Sequence, residues 1–145
     1  MIPALVDIGG LWDVLPPGIH DASMDAVKSL FATNAHRQRL FRGLRRAVDA
    51  LRLAGCRTIY LDGSFVTGKP TPADFDACWE TAGVDDRKLD PALLDFSDMR
   101  KSQKDKYFGE LFPAHLLASP QNAFLDFFQQ DKYTKRAKGI IRLRL

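Results

Sequence analysis

The stretch from Thr58 to Trp79 restricts the folds open to this chain more than any other. Thr58-Ile59-Tyr60-Leu61 is short, β-branched and aromatic, and it stops at Asp62-Gly63-Ser64. Such a segment is a buried strand running into a tight turn. After a loop with Gly68, Pro70 and Pro72, Phe75 and Ala77-Cys78-Trp79 make a second strand, with Asp74 and Asp76 two apart at its start. On extended backbone those two side chains share one face. Like charges so close repel, and a divalent cation is their natural counter-charge; magnesium prefers a few carboxylates together with water and substrate phosphates. Gly63-Ser64 supplies the complementary half, because glycine lets backbone approach a ligand while amide N–H groups and a hydroxyl face phosphate oxygens. Each motif alone is common in ordinary turns and loops. Together, with nine residues between them, they point to a metal and triphosphate site.

The remaining segments predict a mixture of helices and strands in one domain spanning 1–145, an α/β (α+β) fold with a mixed sheet flanked by helices. Residues 1–22, with Gly9, Gly10, Pro16, Pro17 and Gly18, form a lead-in coil packed on that domain through Trp12, Val14, Leu15 and Ile19. Ser23 caps a short helix to about Phe31, and Asn34 caps a longer one from Ala35 to Ala54, stopped by Gly55. Leu40, Leu44, Val48 and Leu51 recur at helical spacing in the longer helix. Arg37, Arg39, Arg42, Arg45, Arg46 and Arg52 fall mainly off that stripe and read as a solvated face rather than a nucleic-acid patch. Asp90-Pro91 opens a helix with Leu93, Leu94 and Phe96; Tyr107 to Phe112 makes a third strand closed by Pro113. Ser119-Pro120 starts a helix whose Phe124, Phe127 and Phe128 belong to the core, and Gly139 to Leu145 alternates as a half-exposed strand.

Here the motifs meet a known pattern. Leu61-Asp62-Gly63-Ser64 through Asp74-Phe75-Asp76 resembles the signature of the DNA polymerase beta-like nucleotidyltransferase superfamily, which includes aminoglycoside nucleotidyltransferases and the small nucleotidyltransferases of toxin–antitoxin pairs. Leu15-Pro16-Pro17-Gly18-Ile19-His20, Asp62 to Lys69, Pro72 to Asp76 and Lys138-Gly139-Ile140-Ile141 look like a family of short bacterial and phage proteins within it. The resemblance implies that Asp74 and Asp76 hold Mg2+ or Mn2+ and that Gly63 and Ser64 contact a nucleoside triphosphate. It also calls for a third carboxylate on a neighbouring strand. Glu110 is the only central acid in a later strand-like segment; aspartate is more usual there, so Glu110 is either a ligand and base or an exposed strand acid. The implied reaction is transfer of a nucleoside monophosphate to an RNA end, a protein or a small molecule, in a toxin–antitoxin or phage-defence setting. The alternative is a silent module of the same fold that binds nucleotide, RNA or a partner protein. Lys69 either reaches the triphosphate or is a solvated loop lysine.

Composition excludes other classes. No stretch approaches the roughly 18 apolar residues of a membrane span, no secretory signal opens the chain, and a cytoplasmic location is expected by default. Cys56 and Cys78 read as reduced core residues, and His20, His36 and His115 share no ligand spacing. The net charge of +3 suits an anionic ligand. Lys101, Lys104 and Lys106 read as a solvated charge run, with an acceptor-binding edge as the sharper alternative.

Overall fold

The computed structural model describes all 145 residues, Met1–Leu145. Five strands form one mixed sheet: β1 (Gly18–Ala22), β2 (Thr58–Asp62), β3 (Phe75–Trp79), β4 (Gly109–Pro113) and β5 (Gly139–Arg144), in the order β1-β5-β2-β3-β4. The outer pairs β1/β5 and β3/β4 are parallel, whereas β5/β2 and β2/β3 are antiparallel. The helices are α1 (Met24–Phe31), α2 (Ala35–Leu53), α3 (Ser97–Tyr107) and the single turn α4 (Phe124–Phe127). The expected α+β class is the one observed.

Strand alternation divides the interior in two. Ile59, Leu61, Phe75, Ala77, Trp79, Leu111, Ile141 and Leu143 point to the helices, where Leu40, Leu44, Val48 and Leu51 of α2 cover them in one continuous core. Gly43 brings α3 against α2: a Cβ there would stand 1.9 Å from the Tyr107 carbonyl oxygen. The opposite face carries a smaller cluster of Tyr60, Cys78, Ala114, Phe128 and Ile140. Along its margin Phe96, Phe112 and Phe124 stack, with centroids 5.7 and 4.0 Å apart.

Ser23 and Asn34 cap their helices as expected, accepting from the amides of Ala26 and Arg37. Four expectations are corrected. The lead-in is more than coil, since Gly18–Ala22 pairs in parallel with Gly139–Leu143. Tyr107 ends α3 instead of opening a strand, its hydroxyl donating to Asp90, and β4 starts at Gly109. The helix expected from Ser119 is reduced to α4, because Ala118 and Ser119 donate to the Asn122 carbonyl and tie residues 118–122 into a turn. After Asp90 the chain makes only a 3-10 turn, Pro91–Leu94, capped by the Asp90 side chain. No helix is long and apolar enough to cross a membrane.

Candidate functional site

The acidic face begins with register. Asp62 at the end of β2 pairs with Asp76 of β3, and Asp76 pairs with Glu110 of β4, so three acids lie side by side in one row of the sheet. Asp74, just ahead of β3, is close enough to Asp76 for their charges to interact.

Neutralisation across this row is uneven. Lys138 reaches Asp62 at 2.8 Å, and both side chains are nearly buried. Arg100 and Lys104 of α3 reach Glu110 at 2.9 and 3.1 Å. The carboxylates of Asp74 and Asp76 receive no hydrogen bond and no ion pair within the protein. Burial, then the charges of Asp74, Asp62 and Glu110, pushes the Asp76 carboxyl up to about 8. Burial and Glu110 likewise raise Asp74, against the pull of Lys104, Arg100 and Lys69. Burial raises Asp62 despite Lys138. Burial would raise Glu110 too, but the hydrogen bonds from Arg100 and Lys104 outweigh it and hold that carboxyl below its usual range.

The glycine of the turn makes this arrangement sterically feasible. Gly63 has φ of 81°, in the left-handed region, and a Cβ on it would stand 2.5 Å from Asp76 Oδ2. Its missing side chain is the space that the Asp76 carboxylate occupies. Ser64 opens the 3-10 turn Ser64–Val66, and its hydroxyl takes no partner within the chain. The loop beyond is fixed by Arg37. Buried in the first turn of α2, Arg37 donates to the carbonyls of Phe31, Phe65, Thr67 and Lys69, with a longer contact to Ser64 at 3.5 Å. Burial lowers the pKa of this guanidinium. Arg37 therefore departs from the solvated arginine face expected for α2.

These elements open on a cleft of about 320 Å³ that contains Gly63, Ser64, Lys69, Asp74 and Asp76 together. Glu110 does not line it, and no three His, Cys, Asp or Glu side chains converge closely enough to hold a metal ion by themselves. The rest of its wall comes from lead-in residues Gly10, Leu11, Trp12 and Val14 and from residues between Phe127 and Lys138. Phe127, expected in the core, is 43% exposed on that wall, whereas Phe128 is buried. Lys138, Asp62, Trp12 and Tyr133 line the cleft without having been singled out as functional from the sequence. Asp62 and Lys138 carried a trace, as parts of a resemblance that attached no role to either.

Other charged groups settle into structural pairs. Lys101 bonds Asp105, Lys106 reaches Asp90 at 2.6 Å, and His115 reaches Glu80 at 2.9 Å. His20 and His36 each bond a proline carbonyl, of Pro16 and Pro72. Both cysteines are free and buried.

No curated protein and no solved structure matches the chain. A family model matches residues 11–144, from the lead-in wall of the cleft through the last strand. The chain therefore belongs to DUF6932, a family of unknown function.

Proposed function

We propose that this protein is a metal-dependent nucleotidyltransferase whose site is the cleft between the Gly63-Ser64 turn and the Asp74/Asp76 pair. One observation carries the reading: two adjacent, half-buried carboxylates are left without a protein partner while the acids on either side of them are ion-paired. Buried charge of one sign is costly unless compensated, and this donor set suits a hard divalent cation that takes one or two carboxylates and completes its shell with water and phosphate oxygens. Asp74 and Asp76 would hold Mg2+ or Mn2+, which when bound supplies Lewis-acid polarisation of phosphoryl oxygens. The chain's own groups do the rest. Gly63 and Ser64 present backbone and hydroxyl to the triphosphate, Lys69 adds a positive charge on the cleft wall, and Arg37 holds their loop in shape from behind. Lys138 keeps Asp62 paired, so that the uncompensated charge is concentrated on the central two acids.

Glu110 supports a second reading. Its carboxylate is held by Arg100 and Lys104, away from the cleft lining, which favours a module that binds a nucleotide, RNA or a protein without turnover. In the enzyme reading Glu110 has to exchange those partners before it can serve as the third carboxylate or as base to an acceptor hydroxyl. Incubation with each labelled triphosphate, magnesium or manganese, and RNA, protein or small-molecule acceptors separates the two. Label transfer by the wild type that Asp74→Ala/Asp76→Ala lacks supports the transferase; metal-dependent triphosphate binding without transfer supports the module. Absence of metal-dependent triphosphate binding removes both.

A further inference from the structure

The cleft has a second half that the carboxylates and the Gly-Ser turn do not use. Large apolar side chains are mostly withdrawn from water, yet Trp12, Phe127 and Tyr133 are 38%, 43% and 66% exposed, and all three line this cleft. They come from chain segments more than 110 residues apart, brought together by specific ties rather than by chance proximity. The lead-in doubles back through paired hydrogen bonds between Val6 and Val14, and the Asp13 carbonyl accepts from the Gly68 amide in the loop after the Gly-Ser turn. Trp12 is thus anchored one residue from a direct bond to that loop. On the other side, Arg136 donates to the Ile8 carbonyl, the Asp131 carboxylate accepts from the Thr134 amide, and Thr134 packs beside Gly10.

We propose, resting on the triphosphate reading above, that this aromatic half is a nucleobase subsite, so that the ligand is a nucleotide and not merely a polyphosphate or a phosphorylated aliphatic compound. Aromatic faces recognise flat π-systems through stacking, and they tolerate any base because every base has such a face. The subsite is continuous with the phosphate turn, which places a ring and a phosphate chain in one cleft of about 320 Å³, within the range that small-molecule sites occupy. Polar groups suited to a ring edge lie on the same wall. Gln130 donates its side-chain N–H to the Lys135 carbonyl, which leaves its side-chain oxygen to accept from an exocyclic amine. The Lys132 ammonium, 5.2 Å from the Tyr133 ring centroid, adds a donor there.

The test exploits the tryptophan count. Of the two tryptophans, Trp79 is 2% exposed, so a ligand that changes fluorescence by contact reports on Trp12. The wild type is titrated, in magnesium, with ATP, GTP, CTP and UTP and, separately, with inorganic tripolyphosphate. Calorimetry on Trp12→Ala and Tyr133→Ala then follows, after thermal melting confirms that each is folded; Tyr133, two-thirds exposed, guards against a folding defect at Trp12. Nucleotides are expected to quench Trp12 and to bind at least tenfold more tightly than tripolyphosphate. Each variant is expected to weaken nucleotide binding about 5- to 150-fold, the range for losing one base–aromatic stack, with tripolyphosphate binding unchanged. Equal affinity of the wild type for tripolyphosphate and nucleotides, or wild-type nucleotide affinity in both variants, overturns the subsite. If tripolyphosphate still binds in a way that Asp74→Ala/Asp76→Ala abolishes, the phosphate and metal reading survives that result. If neither ligand binds the wild type, both fall.

Discussion

Asp76 shows most sharply how a single side chain links this fold to its proposed chemistry. In the unfolded chain an aspartate titrates near 3.9, whereas in the fold burial and three neighbouring acids push Asp76 up to about 8. The folded state therefore holds a proton that the unfolded state has released, and the associated stability declines as pH rises from about 4 to about 8. With divalent ions chelated, the melting temperature is expected to fall between pH 5 and 8.5, and Asp76→Asn, which has no such proton to lose, is expected to flatten that slope. A wild-type melting temperature that holds steady or rises across the same window contradicts this. Gly63 carries the companion prediction. Alanine there must accept φ of 81° and a Cβ 2.5 Å from Asp76 Oδ2, so Gly63→Ala should cost about 1–3 kcal/mol in chemical denaturation. An unchanged midpoint would mean that Asp76 turns away at no cost. Both residues were legible in the sequence, because a Gly-Ser turn and an Asp-x-Asp strand are local motifs. Asp62 and Lys138 were not, since their role depends on a bond between residues 76 positions apart.

At the level of elements, the pieces that read correctly are those whose information is local. Asn34 and the stripe Leu40, Leu44, Val48 and Leu51 define α2, and the capping contact and buried face follow from them. The first turn of α3 could not be read this way. Asp98, Met99 and Arg100 all adopt left-handed conformations, and no glycine announces it. The right-handed remainder of α3 has no apolar stripe; it is held by tertiary bonds such as Gln103 accepting from the Leu111 amide. Strand β1 depends on its partner β5, about 120 residues away, and nothing in Gly18–Ala22 alternates to reveal it. Arg37 looked like one more solvated arginine of α2, yet it joins that helix to the loop carrying Ser64 and Lys69 through carbonyl bonds. Hydrogen bonds to charged groups contribute about 1.5–3 kcal/mol each, so Arg37→Ala should destabilise the fold by about 3 kcal/mol or more. Arg37→Lys should recover little of it, because a point charge with three donors cannot span a planar array of acceptors. Near-wild-type stability of Arg37→Lys would show that the fork geometry is unimportant.

For the molecule as a whole, the strand order β1-β5-β2-β3-β4 converts scattered acids into a site. It sets Asp62, Asp76 and Glu110 in one row, hands the outer two to Lys138, Arg100 and Lys104, and leaves the centre open toward a cleft walled by both ends of the chain. Gly63, Ser64, Asp74 and Asp76, singled out from their local spacing, come together in the inner half of that cleft. The outer half, built by Gly10 to Val14 and by Phe127 to Lys138, arises from long-range contacts and so left no periodic or motif signal; Phe127 even read as core. The most direct test of the central claim is manganese binding, followed by the paramagnetic resonance signal of the free ion, in the presence and absence of a non-hydrolysable nucleoside triphosphate analogue. The wild type should bind manganese weakly alone and at least tenfold more tightly with the analogue, while Asp74→Asn/Asp76→Asn loses that enhancement, as expected when a site's carboxylate ligands are removed. Equal manganese binding by the wild type and the double variant in the presence of the analogue would contradict a metal–triphosphate site at this pair.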